Sequence, residues 1–342
     1  MTLLVTGGAG FIGSHFLRIM REQYPSLRLV CLDKLTYAGS REAIAPLLED
    51  NRFRFVKGDI CDGETVFTLF DEERPDAVVH FAAESHVDRS IEDPALFLRT
   101  NVLGTGVLLD ASRAFGVRRF HQVSTDEVYG DLPLHGGASP FTELSPLRPS
   151  SPYAASKASA DLLALSYFRT YGLPVTVSRC SNNYGPWQYP EKLIPTAIAH
   201  ALRGESVPLY GSGENVRDWL WVEDHCRAIE LILHKGREGE VYNIGAGCER
   251  SNRALVGELL ALLGLPRDAV VQVPDRRGHD LRYALNAEKL MRETGWRPQV
   301  SPERGLALTV EWYRKHPERL QTVVERGRES RLGVSEAGGL RG

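Results

Sequence analysis

Tyr153 and Lys157 stand four residues apart in Ser151-Pro152-Tyr153-Ala154-Ala155-Ser156-Lys157. In a helix that spacing puts both side chains on one face. A phenol is a poor base at neutral pH, but a nearby ammonium stabilises the phenolate and makes it a usable one. Such a pair can take the proton of a hydroxyl whose carbon gives up a hydride. A second group follows from Ser124-Thr125-Asp126-Glu127-Val128-Tyr129-Gly130, which carries two adjacent carboxylates. Oxidation or epimerisation of an alcohol needs no further acid and base, whereas loss of water beside a carbonyl needs both. Glu127 as base and Asp126 as acid would supply them, each transfer worth ~10²–10⁴-fold in rate. The acid must start protonated, and two close carboxylates suppress each other's ionisation, so a shared proton is expected.

A hydride needs an acceptor, and the start of the chain supplies a site for one. Thr6-Gly7-Gly8-Ala9-Gly10-Phe11-Ile12-Gly13 follows a short apolar run and opens a helical pattern. Glycines 7, 10 and 13 let the backbone turn tightly and approach a pyrophosphate, whose charge meets the helix N-terminus. Asp33 ends the next apolar run, where a carboxylate accepts hydrogen bonds from ribose hydroxyls and repels a 2′-phosphate. The expected cofactor is therefore NAD and not NADP, a preference that the neighbouring Lys34 weakens slightly. Asp59 and Ile60, after a third run, could flank the adenine. Taken singly, each motif has a plainer use: a tight turn, a surface Tyr–Lys pair, a solvated Asp-Glu dipeptide. Their combination in one chain is what points to chemistry.

The elements that must position these groups read as strands and helices in alternation. Leu3–Thr6, Arg28–Leu32, Phe53–Val56, Ala77–His80, Phe120–Val123 and Val175–Ser178 are the predicted strands. Between most of them, Phe11–Arg21, Thr65–Phe70, Leu96–Phe115 and Tyr153–Tyr171 carry apolar residues at helical spacing. Ser151 can cap the last of these, with Pro152 in its first turn. Alternation of this kind predicts an α/β fold, a doubly wound parallel sheet of the Rossmann type with right-handed crossovers. Beyond Cys180, prolines and glycines crowd 182–195 and 208–213, and strands become isolated. We expect residues 1–180 to form the NAD-binding domain, with 222–247 returning to it through a strand ending near Ala246–Gly247. The remainder of 181–325 is expected to be a smaller α/β lobe for substrate, and 326–342, poor in apolar residues, a disordered tail.

On Gly7–Gly13, Tyr153 and Lys157 the chain resembles the extended short-chain dehydrogenase/reductase superfamily, where Thr125 takes the place of a Ser or Thr that hydrogen-bonds the reacting hydroxyl. Thr125–Gly130, His80-Phe81-Ala82-Ala83-Glu84-Ser85-His86-Val87-Asp88, Asn182–Pro186 and Pro190–Pro195 narrow the resemblance to the nucleotide-sugar 4,6-dehydratases, over nearly the whole chain to about Tyr313. The resemblance implies a hexose oxidised at C4, deprotonated at C5 by Glu127, dehydrated at C6 with Asp126 as acid, and given its hydride back at C6. NAD would be regenerated in each turnover, with dTDP-glucose as substrate and UDP- or CDP-glucose as alternatives. It further implies that Phe11, Ile12, Leu35, Thr36, Phe81, Ala82, Ala83, Ser85, Thr100 and Asn183 join the cofactor site. For the nucleotide sugar it implies Ser85, Thr125, Asn182, Lys192, Leu193 and Arg217, Pro208, Tyr210 and Asn252 beside the base, and Asp275, Arg276 and His279 closing over it. Arginine's fork suits phosphate oxygens. Arg277 departs from the usual proline and Trp187 from a common Tyr. Relatives of this kind dimerise through two helices per subunit, which implies a homodimer built on Leu96–Phe115 and Tyr153–Tyr171.

Composition bounds the rest. With 342 residues, 42% hydrophobic and 25% charged, the chain matches a globular protein of one large or two intimate domains. A formal net charge of −3 gives no field favouring nucleic acid or an acidic membrane, so an anionic ligand must be held locally. The five cysteines, Cys31, Cys61, Cys180, Cys226 and Cys248, are scattered and contain no CxxC pair. That reads as a reducing, cytoplasmic compartment. No leader or membrane-spanning run is expected, and neither His86 nor His279 is placed to ligate a metal, so none is expected. Two other readings compete with a dehydratase: a UDP-hexose 4-epimerase or UDP-glucuronate decarboxylase, and a non-catalytic NAD sensor. Asp126-Glu127 argues against the first, and the intact Thr125, Tyr153 and Lys157 against the second.

Overall fold

Strand β1 (Thr2–Thr6) sends Leu3 and Val5 into one hydrophobic cluster and Leu4 into another. This is the period-two alternation of a strand covered on both faces. The computed structural model describes residues 1–275 and 278–320. The strands that follow are β2 (Arg28–Asp33), β3 (Phe53–Lys57), β4 (Ala77–His80), β5 (Arg119–Thr125), β6 (Val175–Cys180) and β7 (Asn182–Tyr184). After them come β8 (Val207–Tyr210), β9 (Val216–Trp221), β10 (Val241–Ile244), β11 (Glu249–Ser251) and β12 (Val270–Val273). The helices are α1 (Phe11–Gln23), α2 (Gly63–Glu73), α3 (Val87–Glu92), α4 (Pro94–Phe97), α5 (Thr105–Ala114) and α6 (Pro152–Tyr171). They continue with α7 (Leu193–Leu202), α8 (Val222–Lys235), α9 (Asn252–Leu262), α10 (Glu288–Thr294) and α11 (Pro302–Lys315).

Seven parallel strands lie in the order β10-β6-β5-β4-β1-β2-β3. The winding reverses between β1 and β4, so a crevice opens at their carboxyl ends, where doubly wound folds take ligands. On one face Phe16 and Leu17 of α1, Ile229 and Ile232 of α8 and Leu290 of α10 cover Leu3 and Val5. On the other, Leu69 and Phe70 of α2, Leu108 and Leu109 of α5 and Ala164 of α6 cover Leu4, Val30 and Val78. Each such Leu or Phe, fully buried, contributes ~1.5–3 kcal/mol. A third cluster joins Ile194 and Ile198 of α7, Leu255 and Leu259 of α9, and Leu306 and Val310 of α11. It packs against the small sheets β11-β9-β7 and β12-β8.

The six predicted strands fall within β1 to β6, and the doubly wound α/β class holds. One helix differs. The stretch expected as Leu96–Phe115 is α4, then a π-helical segment over Leu98–Gly104, then α5. The wide turn goes with tertiary bonds: buried Asn101 accepts from Glu84 N at 2.8 Å and donates to Glu84 O at 2.9 Å and to Ser156 Oγ at 2.8 Å. One side chain thus fastens the helix to the loop after β4 and to α6, at the edge of the crevice. Segments of this kind are frequent at functional sites. The expected tail, 326–342, lies outside the described residues.

Candidate active site

The turn after β1 is built for a close approach. Gly7 has φ +69°, and a Cβ there would sit 2.5 Å from Ala82 N; one on Gly13 would sit 2.3 Å from Gly7 O. Neither contact is possible, so only glycine lets β1, α1 and the loop after β4 meet. Gly10 differs: a Cβ there would meet only Gly7 O at 3.3 Å, because this residue faces the crevice. As N-cap of α1 it offers no side-chain cap, and the first turn has no acidic residue. The free N–H groups and helix dipole of α1 are left for an anion.

Asp33 closes the other end of that turn. Its buried carboxylate accepts from Ala9 N at 2.9 Å and Leu35 N at 2.8 Å, which fixes its orientation beside the crevice. Burial raises its pKa and the two amides pull it back. Leu35 takes a left-handed φ of +55° to make its bond. Lys34 is not directed at Asp33: its ammonium pairs with Asp59 at 2.7 Å. Burial works against ionisation of Asp59, but the hydrogen bond and charge of Lys34 outweigh it and hold its pKa low. The charge expected to weaken the preference for NAD is therefore engaged elsewhere.

Of the predicted cofactor residues, Gly7, Gly10, Asp33, Lys34, Thr36, Asp59, Ile60, Phe81, Ala82, Ala83 and Thr100 line one cleft, partly open to solvent. Leu32, Ala38, Gly39, Gly58 and Glu84 line it too and were not foreseen. Gly39 and Gly58 carry a readable signal, since each sits where a Cβ would crowd a neighbour: Leu35 Cα at 3.1 Å and Leu32 Cδ1 at 2.9 Å. Phe11, Ile12, Gly13 and Leu35 lie beside the cleft in the turn and helix that shape it, Ile12 and Leu35 packing on the core. Asn183 Oδ1 is 2.9 Å from His225 Nδ1, and its amide donates to Ser181 O.

The second group is assembled where β5 ends. Thr125 leaves the sheet in extended backbone and caps the 3₁₀ turn Asp126–Tyr129, its Oγ1 accepting from Glu127 N at 3.3 Å. Across from it, Ser151 Oγ accepts from Ala154 N at 3.1 Å and starts α6, with Pro152 in the first turn. Tyr153 and Lys157 are both buried, and Tyr153 hydrogen-bonds Thr125. Lys157 Nζ donates to Val123 O at 2.7 Å. The Tyr153 pKa is raised, by burial first and then by the Glu127 charge, with the Thr125 hydrogen bond opposing. The Lys157 ammonium is held at the β5 backbone, one turn of α6 beyond Tyr153.

Asp126 is buried, 2% exposed. Burial and then the Glu127 charge push its pKa well above the ordinary carboxylate value, against the pull of Arg217. Thr125 Oγ1 reaches Oδ1 at 3.3 Å, whereas buried Oδ2 has no partner. Glu127 beside it is half-buried. Unequal burial separates the two carboxyls: one is held neutral and can donate a proton, the other is partly solvated.

The expected substrate residues fall in three places. Lys192, the N-cap of α7, extends to Ser85 O at 3.4 Å, with Leu193 next to it opening the helix. Asn182, on β7, has a buried Oδ1 with no partner. Arg217 is buried on β9, donating to Val216 O at 2.7 Å and Asp280 O at 2.9 Å over the Tyr283 ring. Its guanidinium is thus fixed by carbonyls and bears on Asp126. Farther out, Tyr210 of β8 meets His279 edge-on, His279 Nδ1 lies 2.6 Å from Asp275 Oδ1, Pro208 precedes Tyr210 on the strand, and Asn252 opens α9. Arg276 and Arg277 lie outside the described residues. Trp187 packs against Trp312. His86 lies 3.2 Å from Glu191, and no group of three or more His, Cys, Asp and Glu among the described residues could hold a metal. All five cysteines are free thiols.

Residues 4–309 match the family model described as GDP-mannose 4,6 dehydratase. The dTDP-glucose 4,6-dehydratase of Xanthomonas campestris pv. campestris strain B100 is 50% identical over 342 residues, covering 95% of this chain and 96% of that protein. The crystal structure of a dTDP-glucose 4,6-dehydratase from Streptomyces venezuelae with NAD and TYD bound is 52% identical, with a TM-score of 0.90 over 94% of this chain and all of that one. A UDP-glucose 4-epimerase from Thermotoga maritima, solved with UDP-glucose, has a TM-score of 0.85 at 36% identity over 92% and 99% of the two chains. The fold is therefore common to dehydratases and epimerases, and the margin in identity lies with the former. The chain belongs to the family of dTDP-glucose 4,6-dehydratases, within the extended short-chain dehydrogenase/reductases.

Proposed function

We propose that this enzyme, a hydro-lyase, converts dTDP-glucose to dTDP-4-keto-6-deoxyglucose. The α1 N-terminus and Asp33 would hold NAD, which when bound would supply a reversible hydride acceptor beside the sugar. Tyr153 takes the C4 hydroxyl proton while Thr125 orients that hydroxyl. The C5 proton, made acidic by the new ketone, goes to Glu127. Asp126 gives its proton to the C6 hydroxyl, which leaves as water, and Glu127 returns a proton to C5 as the hydride reaches C6. One water is lost with no net oxidation, and the proton gained by Tyr153 matches the one given up by Asp126, so exchange with solvent restores both groups.

The observation carrying this reading is the burial of Asp126 beside half-buried Glu127, one residue from Thr125. An epimerase on the same scaffold has no use for a neutral acid there. Incubation of the purified protein with dTDP-glucose in D₂O tests it. A keto sugar carrying solvent deuterium at C5, with no added NAD consumed, is expected. Recovery of the galactose epimer, or of unchanged substrate, would overturn it.

We assign Lys192 and Asn182 to the sugar diphosphate and Tyr210, Asn252, Asp275, Arg276 and His279 to the nucleotide end. Support comes from the exposure of Tyr210 on β8 and Val271 on β12, and from Lys192 reaching the carbonyl of Ser85, next to cleft-lining Glu84. We also propose a homodimer through the α4–α5 segment and α6, where Leu98, Leu103 and Leu162 are 52%, 65% and 59% exposed. Apolar side chains so exposed on neighbouring helices favour an apolar partner face. A cytoplasmic location is in keeping with the free thiols. No described helix is long and apolar enough to cross a membrane.

A further inference from the structure

Asp161 follows Lys157 by one turn of α6 and shares its face. It is wholly buried, and its Oδ2 accepts from Arg179 Nε at 2.9 Å. Arg179, on β6, is buried too. Its Nη1 donates to Tyr129 Oη at 3.0 Å, and that hydroxyl donates to Asn243 Oδ1 of β10 at 2.7 Å. The guanidinium also lies over the Tyr129 ring, 4.9 Å from its centroid, and Phe141 stacks on the same ring at 5.0 Å. Tyr129 is the last residue of the 3₁₀ turn that starts at Asp126.

One ion pair therefore has the helix of Tyr153 and Lys157 on one side and the turn of Asp126 and Glu127 on the other. Stability is a weak reason for it. Taking both charges out of water is costly, and an apolar pair of similar volume would fill the space without that cost. We propose that Arg179 and Asp161 are positioning residues, a clamp that sets Lys157 and the Asp126–Glu127 turn relative to each other so that oxidation and elimination share one substrate pose. This rests on the dehydration reading above, since only that reaction uses both groups. The charges around Lys157 agree with it. Burial depresses the Lys157 pKa, Asp161 opposes this most strongly, and Cys180 of β6 opposes it less. His80 of β4 also feels the Lys157 charge but is neutral, its own pKa lowered to about 3 by burial.

The test uses full-length, NAD-loaded protein and the variants Asp161→Asn, Asp161→Glu, Arg179→Met and Arg179→Lys, each checked for melting temperature and bound NAD. In Asp161→Asn, kcat should fall roughly 10- to 100-fold with little change in KM, because geometry and not affinity is lost. The basic limb of single-turnover reduction at 340 nm should move down by about one pH unit as Lys157 loses its counter-charge, and Asp161→Glu should move it back. In Arg179→Met, C5 deuterium exchange should fall by about 10-fold or more while C4 oxidation is largely kept. Arg179→Lys, which keeps the charge, replaces it if the Met variant does not fold. Folded, loaded variants with wild-type kcat, KM and pH limb would overturn the clamp. A wild-type protein that makes no keto sugar would instead overturn the dehydration reading, and the clamp with it.

Discussion

Thr125 Oγ1 donates to Asp126 Oδ1 at 3.3 Å, while the other oxygen of that buried carboxyl has no protein partner. The same hydroxyl accepts from Glu127 N and hydrogen-bonds Tyr153. Thr125 is thus the point where the group proposed for oxidation and the group proposed for elimination touch. A carboxyl with one oxygen satisfied and one bare is stabilised as the neutral acid, since an ionised one would leave a charge unsolvated.

Separate roles predict separate failures. Glu127→Gln should abolish solvent exchange at C5 yet leave C4 oxidation visible as transient absorbance at 340 nm. Asp126→Asn should keep both oxidation and exchange while dehydration slows by roughly 10²–10⁴-fold. If the Glu127 variant cannot reduce its cofactor at all, the division of labour is wrong.

Tyr153→Phe removes the phenol but leaves the ring, which packs edge-on against Phe97 at 6.3 Å. The fold should tolerate the change. Single-turnover reduction should slow by about 10²–10⁴-fold, since the C4 proton has lost its acceptor. Unimpaired reduction would remove Tyr153 from the role of base.

Asp33 sets the choice of dinucleotide through its charge. Asp33→Asn keeps an oxygen for Ala9 N or Leu35 N but loses the negative charge facing the ribose. NAD affinity measured by calorimetry should fall about 10- to 100-fold, as expected for loss of a hydrogen bond to a charged group. The ratio of NAD to NADP affinity should fall with it. An unchanged ratio would show that Asp33 does not discriminate.

What could be read in the sequence was what depends on near neighbours. The Gly7–Gly13 turn, the Tyr153–Lys157 spacing and the strand runs are set by local periodicity and by contacts a few residues apart. The Leu98–Gly104 segment was not legible, because it goes with Asn101 bonding Glu84 and Ser156, residues 17 and 55 positions away. The pairing of Lys34 with Asp59 and the capture of Arg217 by the Asp280 carbonyl are likewise tertiary. Asp161 carried a readable signal, its i+4 offset from Lys157, but its partner Arg179 could be found only in the folded chain.

The exposed leucines give a test of assembly. Leu103→Glu together with Leu162→Glu places charges on the proposed dimer face without touching the core. Light scattering should report a shift from dimer to monomer mass. A dimer that persists would place the interface on another face of the molecule.

Stability against pH should show two opposed slopes. His121 is buried, with Nδ1 2.9 Å from Thr176 Oγ1 and Nε2 2.9 Å from Ser178 Oγ, and burial lowers its pKa to about 3. Between about pH 3 and 6.5 the unfolded chain binds a proton there that the native chain does not. His121 therefore adds stability above pH 6.5 that is lost as pH falls, at about 1.4 kcal/mol per pH unit. Asp218, which accepts from Cys248 N at 2.8 Å, has its pKa raised to about 6, mainly by burial. Here the native state holds the extra proton between about pH 4 and 6, so its contribution is full below that window and is lost as pH rises through it. Relative to wild type, denaturation of His121→Gln should become less sensitive to acid over pH 4–6. Asp218→Asn should instead gain in relative stability as pH rises over that range. Parallel curves for the three proteins would mean that neither group titrates as its burial dictates.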